Sequence, residues 1–308
     1  MKSNYRYIVK AFMAMAVIAG TTSCDDFLDR EPMSSISPET YYSTAAQLEA
    51  NLNDEYPNVL PSFGQWTYGI FGEDKGTDNQ IEVNANDRYT QDRWKVPHSE
   101  SDNWKFERIY RINFFLSEAL PKFGEDMSGS QNTISGSVAT IKHYIGEMYF
   151  LRAYEYFKKL QLFGDFPIIN QPLADEMEAL REASKRFPRN EVARFIISDL
   201  DKAYAYMSDV DMATTRINKD VAMLVKSRVA LFEATWLQNF KGTAFVPGGE
   251  GWPGASLHNN YQYPSGNIDN EVKYFLEQAV EASKLVADKY KGSCLLYTSP
   301  SPRDYAAS

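Results

Sequence analysis

The chain has 308 residues, enough for one large or two small domains. Its formal net charge is −9, and residues 1–23 carry Lys2, Arg6 and Lys10 but no acid, so the remainder is more acidic still; such a surface argues against nucleic acid or anionic lipid as a direct partner. Only two cysteines are present, which rules out a disulfide framework, while an aromatic content of 14% suits either a heavily packed core or a carbohydrate-binding surface.

The basic start "MKSNYRYIVK", the uncharged run "AFMAMAVIAG" and the small residues Thr21, Thr22 and Ser23 form a signal-peptide pattern over residues 1–23, too short to span a bilayer as a stable helix. The pattern stops at Cys24 and resembles the lipobox of bacterial lipoproteins, with Thr21 standing where leucine is usual. Cys24 is then the acylated first mature residue. Acyl chains at roughly 0.8 kcal/mol per buried methylene would hold it to a membrane. The acids Asp25, Asp26, Asp29 and Glu31 make residues 24–36 a solvated tether.

Ser37 and Ser43 offer helix caps, the second ahead of a helix with Leu48 and Leu52 on one face. Residues 57–98 are dense in Gly, Pro, Asn and Asp and keep no helical period, which predicts an irregular excursion too long for a simple connection. Long amphipathic helices follow. One covers 101–120, with Trp104, Ile109, Ile112, Phe115, Leu116 and Ala119. The next covers 137–163, with Ile141, Ile145, Met148, Arg152, Tyr156, Leu160 and Phe163. A third covers 190–207, capped by Asn190, with Val192, Phe195, Ile196, Leu200, Ala203 and Met207. A fourth covers 218–240, capped by Asn218, with Val221, Leu224, Val225, Arg228, Phe232 and Trp236. The last covers 270–290, with Val272, Leu276, Ala279, Ser283, Val286 and Tyr290. Between two of them, "QLFGDFPII" places Gly164 to end a helix in a left-handed cap, with Phe166 and Ile168 folding back. Arg152, Arg228 and Asp199 fall in or beside apolar faces and are expected to pair with each other or with helix ends.

Strand-like alternation is nearly absent, so the fold class is all-α. The stretches "RINFFLSEALPKFG", "RAYEYFKKLQLFG" and "RVALFEATWLQNFKG" echo one another loosely, as stacked helix-turn-helix repeats of the tetratricopeptide type would; coincidence among aromatic helices is the alternative. The tail "LLYTSPSPRDYAAS" resembles translated sequencing adaptor, so residues 294–308, Cys294 included, are read as an artefact.

Catalytic signatures are missing: there is no G-x-S-x-G, P-loop, H-E-x-x-H or C-x-x-C, and His98, His143 and His258 stand apart from one another, so neither a metal nor a cofactor is expected. Sugar binding needs an aromatic face against the ring, with amides, carboxylates or guanidinium groups on the hydroxyls. Trp104 and Trp236 fall at helical spacing and read as core. Trp66, Trp94 and Trp252 fall in irregular polar segments. Trp94 has Arg93 and Tyr89 nearby, and Trp66 has Tyr68 and precedes Asp78 and Asn79. These eight residues (Trp94, Arg93, Trp66, Tyr68, Asp78, Asn79, Tyr89 and Trp252) are the candidate ligand-binding set, with loop packing as the competing role for each aromatic.

"CDDFLDREP" after the lipobox, "YFLRAYEYFKKLQLFGDFPII" at 149–169, "FPRNEVARFIISDLDKAYAYM" at 187–207 and "TRINKDVAMLVKSRVALFEAT" at 215–235 together resemble the SusD/RagB family. The resemblance implies an outer-membrane lipoprotein of Bacteroidetes, lipid-anchored and surface-exposed. Such a protein takes an oligosaccharide or other nutrient ligand and delivers it to a SusC-like TonB-dependent transporter. It also implies that residues 37–293 are the tetratricopeptide-like helical portion of a longer family fold. The competing functions are a helical-repeat lipoprotein devoted to protein–protein docking and a glycoside hydrolase.

Overall fold

A computed structural model describes residues 41–61, 80, 103–124, 126–208, 212–213 and 215–291. The described residues form seven α-helices: α1 (Ala45–Val59), α2 (Glu107–Phe123), α3 (Val138–Phe163), α4 (Met177–Ala183), α5 (Arg189–Tyr206), α6 (Lys219–Asn239) and α7 (Ile268–Tyr290). A short 3-10 turn at Pro253–Ser256 interrupts the excursion between α6 and α7. Among the described residues no strand forms, and isolated bridges pair Thr44 with Ser135 and Phe166 with Phe187, so the all-α expectation holds.

Helix α3 is the centre. Its sequence is apolar around most of its circumference, and residues on every side of it are buried, from Ile141 to Leu160. It packs against α1 and α2 on one flank and α5 on another. Helix α5 then packs on α6, and α6 on α7, each helix chiefly against its sequence neighbours. This is the stacking that the tetratricopeptide-like reading expects. One glycine sets the closest approach. A Cβ at Gly146 would lie 2.8 Å from the Met207 nitrogen and 2.9 Å from the Ala203 carbonyl oxygen, so only glycine lets α3 meet the end of α5.

The three echoing stretches are the ends of α2, α3 and α6, and they close at Gly124, Gly164 and Gly242, all with positive φ. The echo therefore marks how helices stop. Its arginines have no common role: Arg111 pairs at the surface, Arg152 is buried, and Arg228 is exposed.

Several expectations need correction. Thr44, not Ser43, caps α1, accepting from the Gln47 amide in a capping box. Asn190 does not cap α5; it lies inside the first turn and is fully buried, and Pro188 stands at the cap. The orphan Arg189 amide is met from outside the helix, by Asp165 Oδ1 at 2.9 Å. Helix α6 buries Ala222, Met223, Lys226, Val229, Ala230, Glu233, Ala234 and Leu237, while the expected Val221, Leu224 and Arg228 are exposed. On α7 the expected Ala279 and Val286 are buried, but Phe275 and Ala282 complete the inner face in place of Leu276 and Tyr290, which point outward. Both helices carry apolar residues on more than one side, and buried charges on the true inner face hid it from a hydrophobicity pattern. The caps at Asn218 and Gly164 stand as expected.

Candidate functional site

Seven of the eight candidate ligand residues (Trp66, Tyr68, Asp78, Asn79, Tyr89, Arg93 and Trp94) lie outside the described residues, as does Cys24. What the structure describes is the base from which their segment departs and to which it returns. Near the end of α3, consecutive lysines hold both ends. Lys158 Nζ donates to the Val59 carbonyl at the end of α1, and Lys159 Nζ donates to the Asn103 carbonyl ahead of α2, at 2.7 Å. Glu155, one turn earlier and 3% exposed, balances them, with Lys159 at 3.3 Å, Lys158 at 3.6 Å and Arg108 at 3.9 Å. Burial pushes the Lys158 ammonium below its usual range, and the Glu155 charge opposes that. A cleft of about 360 Å³ opens between this turn and the start of α2. Val59 and Asn103, which flank residues 60–102 in the sequence, are thus both held by the central helix.

The eighth residue, Trp252, departs from the expectation of an exposed loop aromatic. It is 5% exposed, its indole N–H donates to Asp165 Oδ2 at 2.7 Å, and its ring stacks on His258 and meets Tyr261 at centroid distances of 5.9 and 5.6 Å. A buried indole needs a partner for its N–H, and Asp165 supplies one. Burial pushes the Asp165 carboxyl up, and hydrogen bonds from Trp252 and the Arg189 amide oppose that. Trp252 therefore fastens the α6–α7 excursion to the turn after α3. Trp104 and Trp236, expected in the core, are only half-buried. The Trp236 ring carries the Arg189 guanidinium at 4.1 Å, and Trp104 joins Phe106, Phe163 and Phe166 in an aromatic cluster.

Four arginine–carboxylate pairs, each with a buried acid, lock this base. Arg152 makes a two-pronged contact with Asp199, at 2.6 and 2.8 Å, and reaches Asn113 and the Asn170 carbonyl. Arg189 binds Glu233, Arg194 binds Glu271, and Arg216 binds Glu147. The first was expected from the sequence. The other three were missed, although single acids in otherwise apolar stretches, such as Glu147 and Glu233, were the available signal. Burial opposes ionisation of Glu271, but hydrogen bonds from Arg194, the Ser265 amide and Asn190 together hold its carboxyl below the usual range. His143 is 1% exposed; Nδ1 accepts from the Ser208 amide, and Nε2 faces the Ile217 carbonyl and Glu147.

A second concavity, of about 200 Å³, lies between α1 and α2 and was not anticipated. Tyr110, 51% exposed, lies nearly parallel to Phe114, with centroids 6.2 Å apart and an interplanar angle of 22°. Arg111 Nη1 bridges Asp54 Oδ2 at 2.9 Å and Glu55 Oε1 at 3.0 Å. Glu55 Oε2 is buried without a hydrogen-bond partner. Burial raises the Glu55 carboxyl above its usual range, with Arg111 opposing. The pair Tyr110 and Phe114, four apart and off the apolar face of α2, was the legible signal.

With this geometry in hand, comparison with known proteins is informative. A SusD-like family model described as "Starch-binding associating with outer membrane" matches residues 26–231. Two SusD-like proteins of Formosa agariphila are each 25% identical, over 253 and 233 residues; these cover 78% and 70% of this chain but 46% and 41% of the relatives. The chain therefore spans less than half the length of the curated relatives it matches. Among solved structures, a SusD-like carbohydrate binding protein from Bacteroides vulgatus is 13% identical with a TM-score of 0.44, over 80% of this chain and 45% of that one. A SusD-like protein from Bacteroides fragilis is 18% identical with a TM-score of 0.41, over 69% and 40%. Since the family model spans well over half of the sequence, this chain belongs to the SusD-like family.

Proposed function

We propose that this protein is a non-catalytic glycan-binding lipoprotein, anchored at the outer-membrane surface through Cys24, that passes oligosaccharide to a SusC-like TonB-dependent transporter. The family match over residues 26–231 carries the reading. The hold of α3 on Val59 and Asn103, which flank residues 60–102, supports it, because a binding loop gains precision from a rigid base. In this reading Trp94 is the stacking platform, flanked by Arg93 and Tyr89, with Trp66, Tyr68, Asp78 and Asn79 lining the same segment. Trp252 holds the scaffold.

The test is an oligosaccharide panel against the full-length protein, by calorimetry and product analysis. Binding without product is the expected result, and Trp94→Ala weakens it by about 1–3 kcal/mol with unchanged thermal stability. Product formation would instead make the protein a glycoside hydrolase. No binding to any member of the panel would leave protein–protein docking as its task.

A further inference from the structure

The concavity between α1 and α2 has the parts of a sugar site: among the described residues, Tyr42 and the two helices line it. We infer that this pocket is a second saccharide site, which takes a single neutral pyranose with its apolar face on Tyr110. Three observations select that ligand. The half-exposed Tyr110 ring, held nearly parallel to Phe114, presents a flat apolar face at the pocket, and sugars stack on such faces. Beside it Asp54, Glu55 and Asn51 bring carboxylates and an amide, and Arg111 brings guanidinium donors. Glu55 itself lines the pocket with one carboxylate oxygen, Oε1, engaged by Arg111 and the other, Oε2, without a hydrogen-bond partner.

Other ligand classes fit worse. A metal ion would have to displace Arg111 from both carboxylates, and no group of three or more His, Cys, Asp or Glu among the described residues is placed to hold one. An acidic sugar would meet Asp54, Glu55 and, 3.8 Å from Arg111 Nε, Glu107, with one guanidinium against them. A pocket of about 200 Å³ falls below the range of roughly 300–1,000 Å³ typical of drug-sized ligands, so it suits one ring and not a chain.

Saturation-transfer NMR on the full-length protein tests this, with methyl α-D-glucopyranoside, methyl α-D-mannopyranoside, methyl β-D-galactopyranoside and D-glucuronate as probes. A Trp94→Ala background weakens the proposed first site. The expected result is transfer to at least one neutral glycoside and none to glucuronate. Tyr110→Ala should weaken that binding at least tenfold, with an unchanged circular dichroism spectrum, and Tyr110→Phe should retain it because the ring remains. Absence of transfer to every neutral glycoside overturns the inference. So does a signal that survives Tyr110→Ala, or glucuronate binding as well as the neutral probes. None of these outcomes touches the proposed function, which is read from oligosaccharide binding that depends on Trp94.

Discussion

Arg152 sits at 3% exposure in the middle of the central helix, where an uncompensated charge would be costly. Its cost is offset by geometry: both carboxylate oxygens of Asp199, the Asn113 side chain and the Asn170 carbonyl all accept from it. Burial alone would lower the guanidinium pKa, yet the Asp199 charge and hydrogen bonds raise it overall. Arg152→Met should therefore cost about 3–5 kcal/mol in urea unfolding, because it strands a buried carboxylate. Adding Asp199→Leu should recover at least half of that loss, since an apolar pair has no charge to desolvate; failure to recover would mean that the pair itself stabilises the fold. At this scale the sequence was partly legible. A charge on an apolar face identified Arg152 and Asp199 but placed Arg228 wrongly, because the face itself was misread. For Trp252 the sequence left ligand contact and loop packing open, because its partner Asp165 is distant in the chain and local composition cannot show a long-range N–H acceptor.

At the scale of elements, helix propensity and packing make opposite forecasts for Gly146. Alanine is the better helix former by about 1 kcal/mol, so propensity alone predicts a gain from Gly146→Ala. The added Cβ would meet backbone of the α5 end at 2.8 and 2.9 Å, and backbone cannot swing aside as a side chain can. Gly146→Ala should thus destabilise by about 1–3 kcal/mol, the scale of an overpacked core, measured by thermal or denaturant unfolding. An unchanged or raised midpoint would show that α3 and α5 can slide apart freely. Helix positions were legible from periodicity for α5 and α3, the latter buried on every side, whereas α2 begins at Glu107, six residues after the expected start at 101. The inner faces of α6 and α7 were not legible, since Lys226, Glu233 and Glu271 occupy buried positions there. Each finds a charged partner on another helix, at Asp201, Arg189 and Arg194.

For the whole molecule, the stack of helices brings Val59 and Asn103 to one turn of α3, and the rest of the proposed function depends on where the molecule sits. Among the described residues no helix is long and apolar enough to cross a membrane. In the proposed reading membrane attachment rests on acylation of Cys24. Cys24→Ser should move the protein from the membrane fraction to the soluble fraction on cell fractionation, while its melting temperature and oligosaccharide affinity stay unchanged. Full retention in the membrane fraction would refute the anchor.

Local patterns alone determined much of this protein. Helical class follows from the 3.6-residue recurrence of apolar side chains, and helix ends follow from residues such as Asn218 and Gly164, because capping and positive φ are properties of a few adjacent residues. Family membership was also legible, in the resemblance carried by residues 149–169 and 187–207, and the family match confirmed it. Tertiary structure alone decided which side of α6 and α7 is buried, which carboxylate each arginine meets, and that Trp252 is a fastening. It also brought Tyr110, Arg111, Asp54 and Glu55 together from two helices. These are contacts between residues far apart in sequence, and their energies depend on burial and distance, which only the packed chain defines.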